Sequence, residues 1–159
     1  MLLLLSLLGL ALAAASPLDE PDFKLQRGDC PMFWYSFNGG CYKYVATAKT
    51  WAKASLNCEE QRSGLVSIHS MEEQNFVTAL IRRFDPSEGS TWIGLTDIGI
   101  DGYWIWSNGK RVTFTFWRDG EPNGHEYENC AVTNYKSSPR WSDISCTYTH
   151  PSVCASFPH

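Results

Sequence analysis

Residues 30–45 read CPMFWYSFNGGCYKYV. Two aromatic-rich runs in this stretch flank residues 38–40, Asn-Gly-Gly, which are typical of the turn of a β-hairpin. Cys30 precedes the first run, and Cys41 follows the turn. The stretch therefore predicts a hairpin with a cysteine close to each of its two strands.

The segment before the hairpin has a different composition. Residues 1–20 read MLLLLSLLGLALAAASPLDE, and the run from Leu2 to Ala15 is apolar but too short to span a membrane. This pattern is typical of a secretory signal peptide, and the small residues Ala13 and Ala15 suit cleavage before Ser16. We expect a signal peptide over 1–15, a short N-terminal segment over 16–29 and one folded domain over 30–159. We also expect the mature protein to be secreted and extracellular, without a membrane span.

The chain contains six cysteines, an even number that predicts three disulfide bonds in an oxidising compartment. Spacing alone leaves their connectivity open. No pair forms C-x-x-C, and no group of cysteine and histidine has zinc-finger spacing, so neither a redox centre nor a structural zinc site is indicated. The six are Cys30, Cys41, Cys58, Cys130, Cys146 and Cys154.

The charge of the chain bears on its partners. The formal net charge is -4, which argues against nucleic acid and anionic membranes as binding partners. The only basic clusters are Arg82-Arg83 and Lys110-Arg111, which we expect to lie on the solvated surface. No segment of the sequence indicates an oligomer.

Two amphipathic helices are predicted after the hairpin. Thr50 is a suitable N-cap for a helix that runs through about Arg62, with Gly64 as its stop signal. Ser70 opens the sequence SMEE, a capping box, and a second helix should follow it. The expected apolar stripe of that helix consists of Phe76, Val77, Leu80 and Ile81.

The pattern changes to short β-type runs beyond Pro86. TWIGL at 91–95, YWIWS at 103–107, RVTFTFW at 111–117 and NCAVTNY at 129–135 are separated by Gly, Asn and Asp. The predicted class is therefore α+β, with two helices and small antiparallel sheets joined by long loops.

Taken together, five motifs resemble the C-type lectin domain in its long form. They are CPMFWYSFNGGCY at 30–42, W-x-x-A-x-x-x-C at 51–58, WIGL at 92–95, EPN at 121–123 and WSDISC at 141–146. The compact layout is similar to that of soluble secreted fish lectins and the related type II antifreeze proteins. The resemblance implies the disulfide pairs Cys30–Cys41, Cys58–Cys154 and Cys130–Cys146.

The resemblance also implies a calcium site around the acidic stretch GEPNGHEYENC at 120–130. Ca²⁺ takes six to eight oxygen ligands, and carboxylates and amide carbonyls on a loop supply them. The implied ligands are Glu121, Asn123, Glu128 and Asp143, together with Ser142. Ser142 stands where mannose-type relatives usually carry an asparagine, so we expect it to be a weakened ligand.

Sugar binding is implied at the same calcium site through Glu121, Asn123, Glu128 and Ser142. Glu121 only accepts hydrogen bonds, and the amide nitrogen of Asn123 only donates them. The order Glu-Pro-Asn is the mannose-type order, in which two neighbouring sugar hydroxyls bind the calcium, and Pro122 is expected to follow a cis peptide bond. The implied partners are mannose-type glycans, and innate recognition of microbes is a role that fits.

An auxiliary calcium site is implied by Asp97, Asp101 and Asn129 together with Glu128, although Gly124 offers no side chain where relatives often have a ligand. The motifs H-E-x-x-H and G-x-S-x-G are absent, so the chain is not expected to be an enzyme and has no candidate catalytic residue. Two alternatives to the lectin remain at this level. One is an ice-binding protein, and the other is a lectin-like domain that binds protein partners.

Overall fold

The computed structural model describes residues 24–124 and 127–157. The expected signal peptide and most of the N-terminal segment lie outside the described residues and stay predictions. The elements in chain order are β1 (Tyr35–Phe37), β2 (Gly40–Lys49), α1 (Trp51–Glu60), β3 (Gly64–Leu65), α2 (Met71–Phe84), β4 (Thr91–Thr96), β5 (Ile105–Trp106), β6 (Cys130–Thr133), a 3₁₀ turn (Tyr135–Ser137), β7 (Ser142–Ile144) and β8 (His150–Ser156).

The described strands form one eight-stranded sheet, in the order β1-β2-β8-β4-β6-β7. The short strands β3 and β5 pair with β8 and β4 respectively. Most neighbours are antiparallel, while β4 and β8 pair in parallel through Trp92 and Ser152. Two helices beside this sheet confirm the predicted α+β class, and the hairpin of β1 and β2 lies where the Asn-Gly-Gly turn predicts it.

The first helix begins as predicted and ends earlier. The Thr50 hydroxyl accepts a hydrogen bond from the backbone nitrogen of Lys53 at 3.4 Å. The predicted end near Arg62 is wrong, because the helix stops at Glu60. Arg62 adopts φ 58°, the left-handed conformation that terminates helices, and Gly64 instead begins β3.

The second helix has its predicted cap and buried stripe. The Ser70 hydroxyl accepts from the backbone nitrogen of Glu73 at 3.1 Å. The Glu73 carboxylate accepts from the backbone nitrogen of His69 at 2.7 Å and from the Tyr42 hydroxyl, so the capping box reaches one residue further back than usual. The buried stripe consists of Phe76, Val77, Leu80 and Ile81.

The β-type run at 111–117 does not form the expected strand. In the described part of the chain, its only ladder contact is an isolated parallel bridge between Trp117 and Trp141. Its alternating side chains Val112, Phe114 and Phe116 pack against the core. Alternation here reflects burial of one side of an extended loop, because the single bridge at Trp117 does not extend into a ladder.

The three disulfide bonds join the pairs that the resemblance implies. Cys58–Cys154 ties α1 to β8, and Cys30–Cys41 closes the hairpin. Cys130–Cys146 links β6 to the segment after β7. The buried Trp141 indole, directly before β7, donates to Gln74 Oε1 at 2.7 Å and so anchors the start of β7 on α2. Within the described ranges, no helix has the length and apolarity to cross a membrane.

Candidate functional site

The acidic loop is fixed to β7 by backbone hydrogen bonds. Arg118 donates from its backbone nitrogen to the Trp141 carbonyl at 2.8 Å. The backbone nitrogen of Glu121 then donates to the Arg118 carbonyl at 2.9 Å. As a result, Glu121 is placed against the strand that carries Asp143. The peptide bond between Glu121 and Pro122 is cis, as the sequence predicts.

Three carboxylates from separate parts of the chain meet at this place. One oxygen of each of Glu121, Glu128 and Asp143 lies within 4.8 Å of the others. Glu121 lies in the loop, Glu128 just before β6, and Asp143 in the middle of β7 opposite Ala131. The fold therefore collects three negative side chains that are spread over more than twenty positions of the sequence.

Burial makes this carboxylate cluster costly without a counter-charge. Asp143 is 2% exposed. In the ionised state, Glu121 Oε2 and Asp143 Oδ2 are buried without a hydrogen-bond partner among the described residues. Burial, and next the adjoining Glu121 carboxyl, raise the pKa of Asp143 to about 7. A hard divalent cation would satisfy the unpaired oxygens and offset the repulsion, so the donor set fits calcium.

The two other expected ligands border the carboxylate cluster. The backbone nitrogen of Asn123 donates to Asp143 Oδ1 at 3.3 Å, and the residue itself is exposed. Ser142 is 1% exposed, precedes Asp143 in β7 and pairs with Val132. Their roles as ligands stay predictions that this placement permits.

The residues expected at the auxiliary site are partly brought together. Asp97 is buried, and its two carboxylate oxygens accept from the Asn129 side-chain amide at 3.0 Å and from the Gly102 backbone at 2.8 Å. Asp101 lies exposed in the turn that follows. Of the described acidic residues, neither Asp97 nor Asp101 belongs to the carboxylate cluster. The auxiliary calcium stays a prediction.

Two supports of the site are not indicated by sequence motifs. The Thr96 hydroxyl donates to the Asn129 carbonyl at 2.7 Å, which holds the end of the acidic loop against β4. Arg118 contributes through its backbone rather than its side chain. The backbone bond of Arg118 leaves no preference for residue type, and the partner of the Thr96 hydroxyl is 33 positions away, so only the structure reveals these supports.

The chain is similar to known proteins in both sequence and fold. The family profile described as Lectin C-type domain matches residues 47–156. Ladderlectin from Oncorhynchus mykiss is 34% identical over 127 residues, which cover 79% of this chain and 67% of that protein. The galactose-specific lectin nattectin from Thalassophryne nattereri is 34% identical over 127 residues, 79% of each chain. The structure of herring type II antifreeze protein is similar with a TM-score of 0.77 and 32% identity, covering 82% of this chain and 100% of that one.

Proposed function

Because this chain belongs to the C-type lectin domain family, a group of carbohydrate-binding proteins rather than enzymes, we propose that it is a calcium-dependent lectin for mannose-type sugars. The observation that carries the proposal is the carboxylate cluster of Glu121, Glu128 and the buried Asp143, with two of its oxygens unpaired in the described part of the chain. Such oxygens are what a calcium site requires, and a cluster of this kind is unfavourable as a purely structural feature.

In the proposed site, Glu121, Glu128 and Asp143 supply the charge that holds the ion. Asn123 adds its amide oxygen, and Ser142 adds a hydroxyl in place of an amide. When bound, calcium supplies coordination positions for two neighbouring sugar hydroxyls. Glu121 then accepts a hydrogen bond from one of these hydroxyls, and the Asn123 amide donates to the other.

The proposed preference for mannose depends on this order of acceptor and donor. Glutamate precedes asparagine in the loop, and this order suits the equatorial 3- and 4-hydroxyls of mannose-type sugars. Nattectin is described as galactose-specific, so the names of relatives do not determine the sugar for this chain. The specificity is proposed from residues 121–123 alone.

We propose secretion on separate grounds. The apolar residues 1–15 are typical of a signal peptide, and they would be followed by an N-terminal segment over 16–29 and the lectin domain over 30–159. The three disulfide bonds favour an extracellular compartment. A secreted lectin for mannose-type glycans fits innate recognition of microbial surfaces.

Calorimetric titration of methyl α-mannoside into calcium-loaded protein tests the function. We expect binding that disappears when EDTA removes calcium. The variant Asp143→Asn should lose calcium and sugar binding together, whereas the control Asp29→Asn, at an exposed position outside both expected calcium sites, should keep both. Mannoside affinity that is unchanged in EDTA would contradict the proposal.

Ice binding is a second candidate function, and the likeness to the herring antifreeze structure favours it. Microscopy of ice crystals distinguishes the two functions, because an ice-binding protein shapes crystals and arrests their growth. For a lectin of the proposed type we expect round, unshaped crystals with and without calcium.

A further inference from the structure

A second cavity lies at the far end of β6 and β7 from the carboxylate cluster. Its volume is about 350 Å³, and it lies between the end of α2, the loop that follows α2 and the loop at 134–139. Asn134 comes directly after β6, whereas Asp143 pairs with Ala131 inside that strand pair. The cavity and the carboxylate cluster are therefore separate places in the fold.

The floor of the cavity contains a buried amide donor. Asn134 is 4% exposed, and its side-chain nitrogen has no hydrogen-bond partner in the part of the chain that the structure describes. Buried polar groups in folded proteins are nearly always paired, and an unpaired one indicates a missing acceptor. A molecule that enters the cavity can supply this acceptor.

Two hydroxyls in the wall retain donors of their own. The Thr78 hydroxyl accepts from the Gln74 side chain at 3.2 Å, and the Ser138 hydroxyl accepts from the Arg140 backbone at 3.3 Å. In each case the oxygen is the acceptor, so the hydroxyl hydrogen is left to donate. Together with the Asn134 amide, the cavity thus presents three donors from two segments of the chain, α2 and the loop at 134–139.

The charges at the rim determine the class of ligand. Arg82 Nε donates to Glu88 Oε1 at 3.0 Å, and both side chains line the cavity. The guanidinium disfavours a cation, and the carboxylate disfavours an anion. A neutral molecule with many hydroxyls satisfies both, because each hydroxyl donates to a carboxylate and accepts from a guanidinium or amide.

We propose that this cavity is a second saccharide site, which binds one neutral sugar unit without calcium. Its volume falls in the range of small-molecule sites and far exceeds the space of one water molecule. Pro139 adds an apolar wall against which a sugar ring can lie. The site shares no residue with the carboxylate cluster, so it stands independently of the calcium mechanism.

NMR of ¹⁵N-labelled, calcium-loaded protein tests the proposal, since Asn134 and Asn123 each report on one site through a side-chain amide. Methyl α-mannoside, methyl α-glucoside and methyl β-galactoside are the probes. We expect at least one of them to shift the Asn134 amide signal saturably, and this shift to persist after EDTA. The Asn123 signal should respond only in the presence of calcium. Because each amide reports on one site, failure of the cavity site and failure of the calcium site are distinguished.

Two variants test whether the glycoside that shifts the Asn134 signal binds in the cavity. Asn134→Asp keeps the size of the side chain and its tolerance of φ 66°, but it replaces the donor with a carboxylate. We expect about tenfold weaker binding of the responding glycoside, measured on the Ser138 backbone signal. Glu88→Gln at the rim should weaken binding without affecting the fold, and Asn75→Asp, exposed on α2, is the matched control. The proposal is overturned if none of the three probes gives a saturable shift. It is also overturned if Asn134→Asp and Glu88→Gln both bind the glycoside as tightly as the original protein.

Discussion

At the scale of single residues, the carboxyl of Asp143 lies in an environment that disfavours its ionised form. It is buried, and it lies against a second acid, Glu121. A structural role would favour a neutral side chain at such a position, since an unpaired charge is expensive to bury. The calcium ion of the proposed function would offset this cost by supplying positive charge.

The order of donor and acceptor in the loop gives the first prediction. The double change Glu121→Gln and Asn123→Asp reverses which side chain donates, while oxygen ligands remain at both positions. We expect the preferred sugar to change from mannose to galactose. Competition by the two free sugars on a mannan column measures the preference, and calcium titration of the variant serves as the control. An unchanged preference in a variant that binds calcium would show that residues 121–123 do not set specificity.

Ser142 gives a second prediction at this scale. Its hydroxyl is shorter than the amide that mannose-type relatives usually carry, so calcium and sugar should be held less tightly. One hydrogen bond contributes about 0.5 to 1.5 kcal/mol, and Ser142→Asn should therefore tighten both affinities several-fold. Because Ser142 is buried, the melting temperature of the variant is measured alongside the two titrations. Equal or weaker affinities in the asparagine variant refute the idea of a weakened ligand.

The sequence predicts much of the site at this scale but not all of it. The Glu-Pro-Asn order and the Trp-Ser-Asp motif are local patterns, so they can be read without a structure. The unpaired amide of Asn134 has no such pattern, because it results from the packing of α2 against a loop more than fifty positions later. A short motif cannot indicate packing between segments that lie so far apart in the sequence.

At the scale of elements, the helices were easier to predict than the strands. Caps and the 3.6-residue period are local, so Ser70 and the buried stripe of α2 are found where the sequence places them. A strand forms only where another strand pairs with it, and the local sequence does not show which segment that is. The run at 111–117 has the alternation of a strand and yet remains an extended loop, which meets the sheet at a single bridge between Trp117 and Trp141.

The start of β8 gives a prediction about pH. The His150 ring packs edge-on against Trp92 with ring centres 5.2 Å apart, and burial lowers the pKa of His150 below its ordinary 6.5. The unfolded chain therefore binds a proton more readily, and stability is lost as pH falls below about 6.5. His150→Phe keeps the ring contact and removes the titration.

Urea unfolding at several pH values measures this effect. We expect the free energy of unfolding to fall less steeply in His150→Phe than in the original protein between about pH 7 and pH 5. All other titrating groups, including His69, are common to both proteins and cancel in the comparison. Identical slopes would show that His150 is not part of the acid sensitivity.

At the scale of the whole molecule, the disulfide bonds differ in how much chain they close. Cys58–Cys154 joins positions 96 apart, and Cys30–Cys41 joins positions 11 apart. In the loop-entropy account, the first contributes on the order of 4 kcal/mol and the second less. Paired Cys→Ala variants should therefore show the larger drop in melting temperature for the Cys58–Cys154 bond. A larger drop for the hairpin bond would reverse this ranking.

The position of β8 between β2 and β4 bears on how the domain could be attached to a surface through its chain ends. The described chain ends there, and near its start Gln26 bridges Ser36 in the neighbouring hairpin. Both described ends therefore lie in the half of the sheet formed by β1, β2 and β8, while Asp143 lies in β7, three strands and about 14 Å beyond β8. A tether at either end would therefore attach at least three strands away from the strand that carries Asp143 in the proposed sugar site. Tandem copies joined by short linkers would then gain avidity for dense glycan arrays without any redesign of the domain.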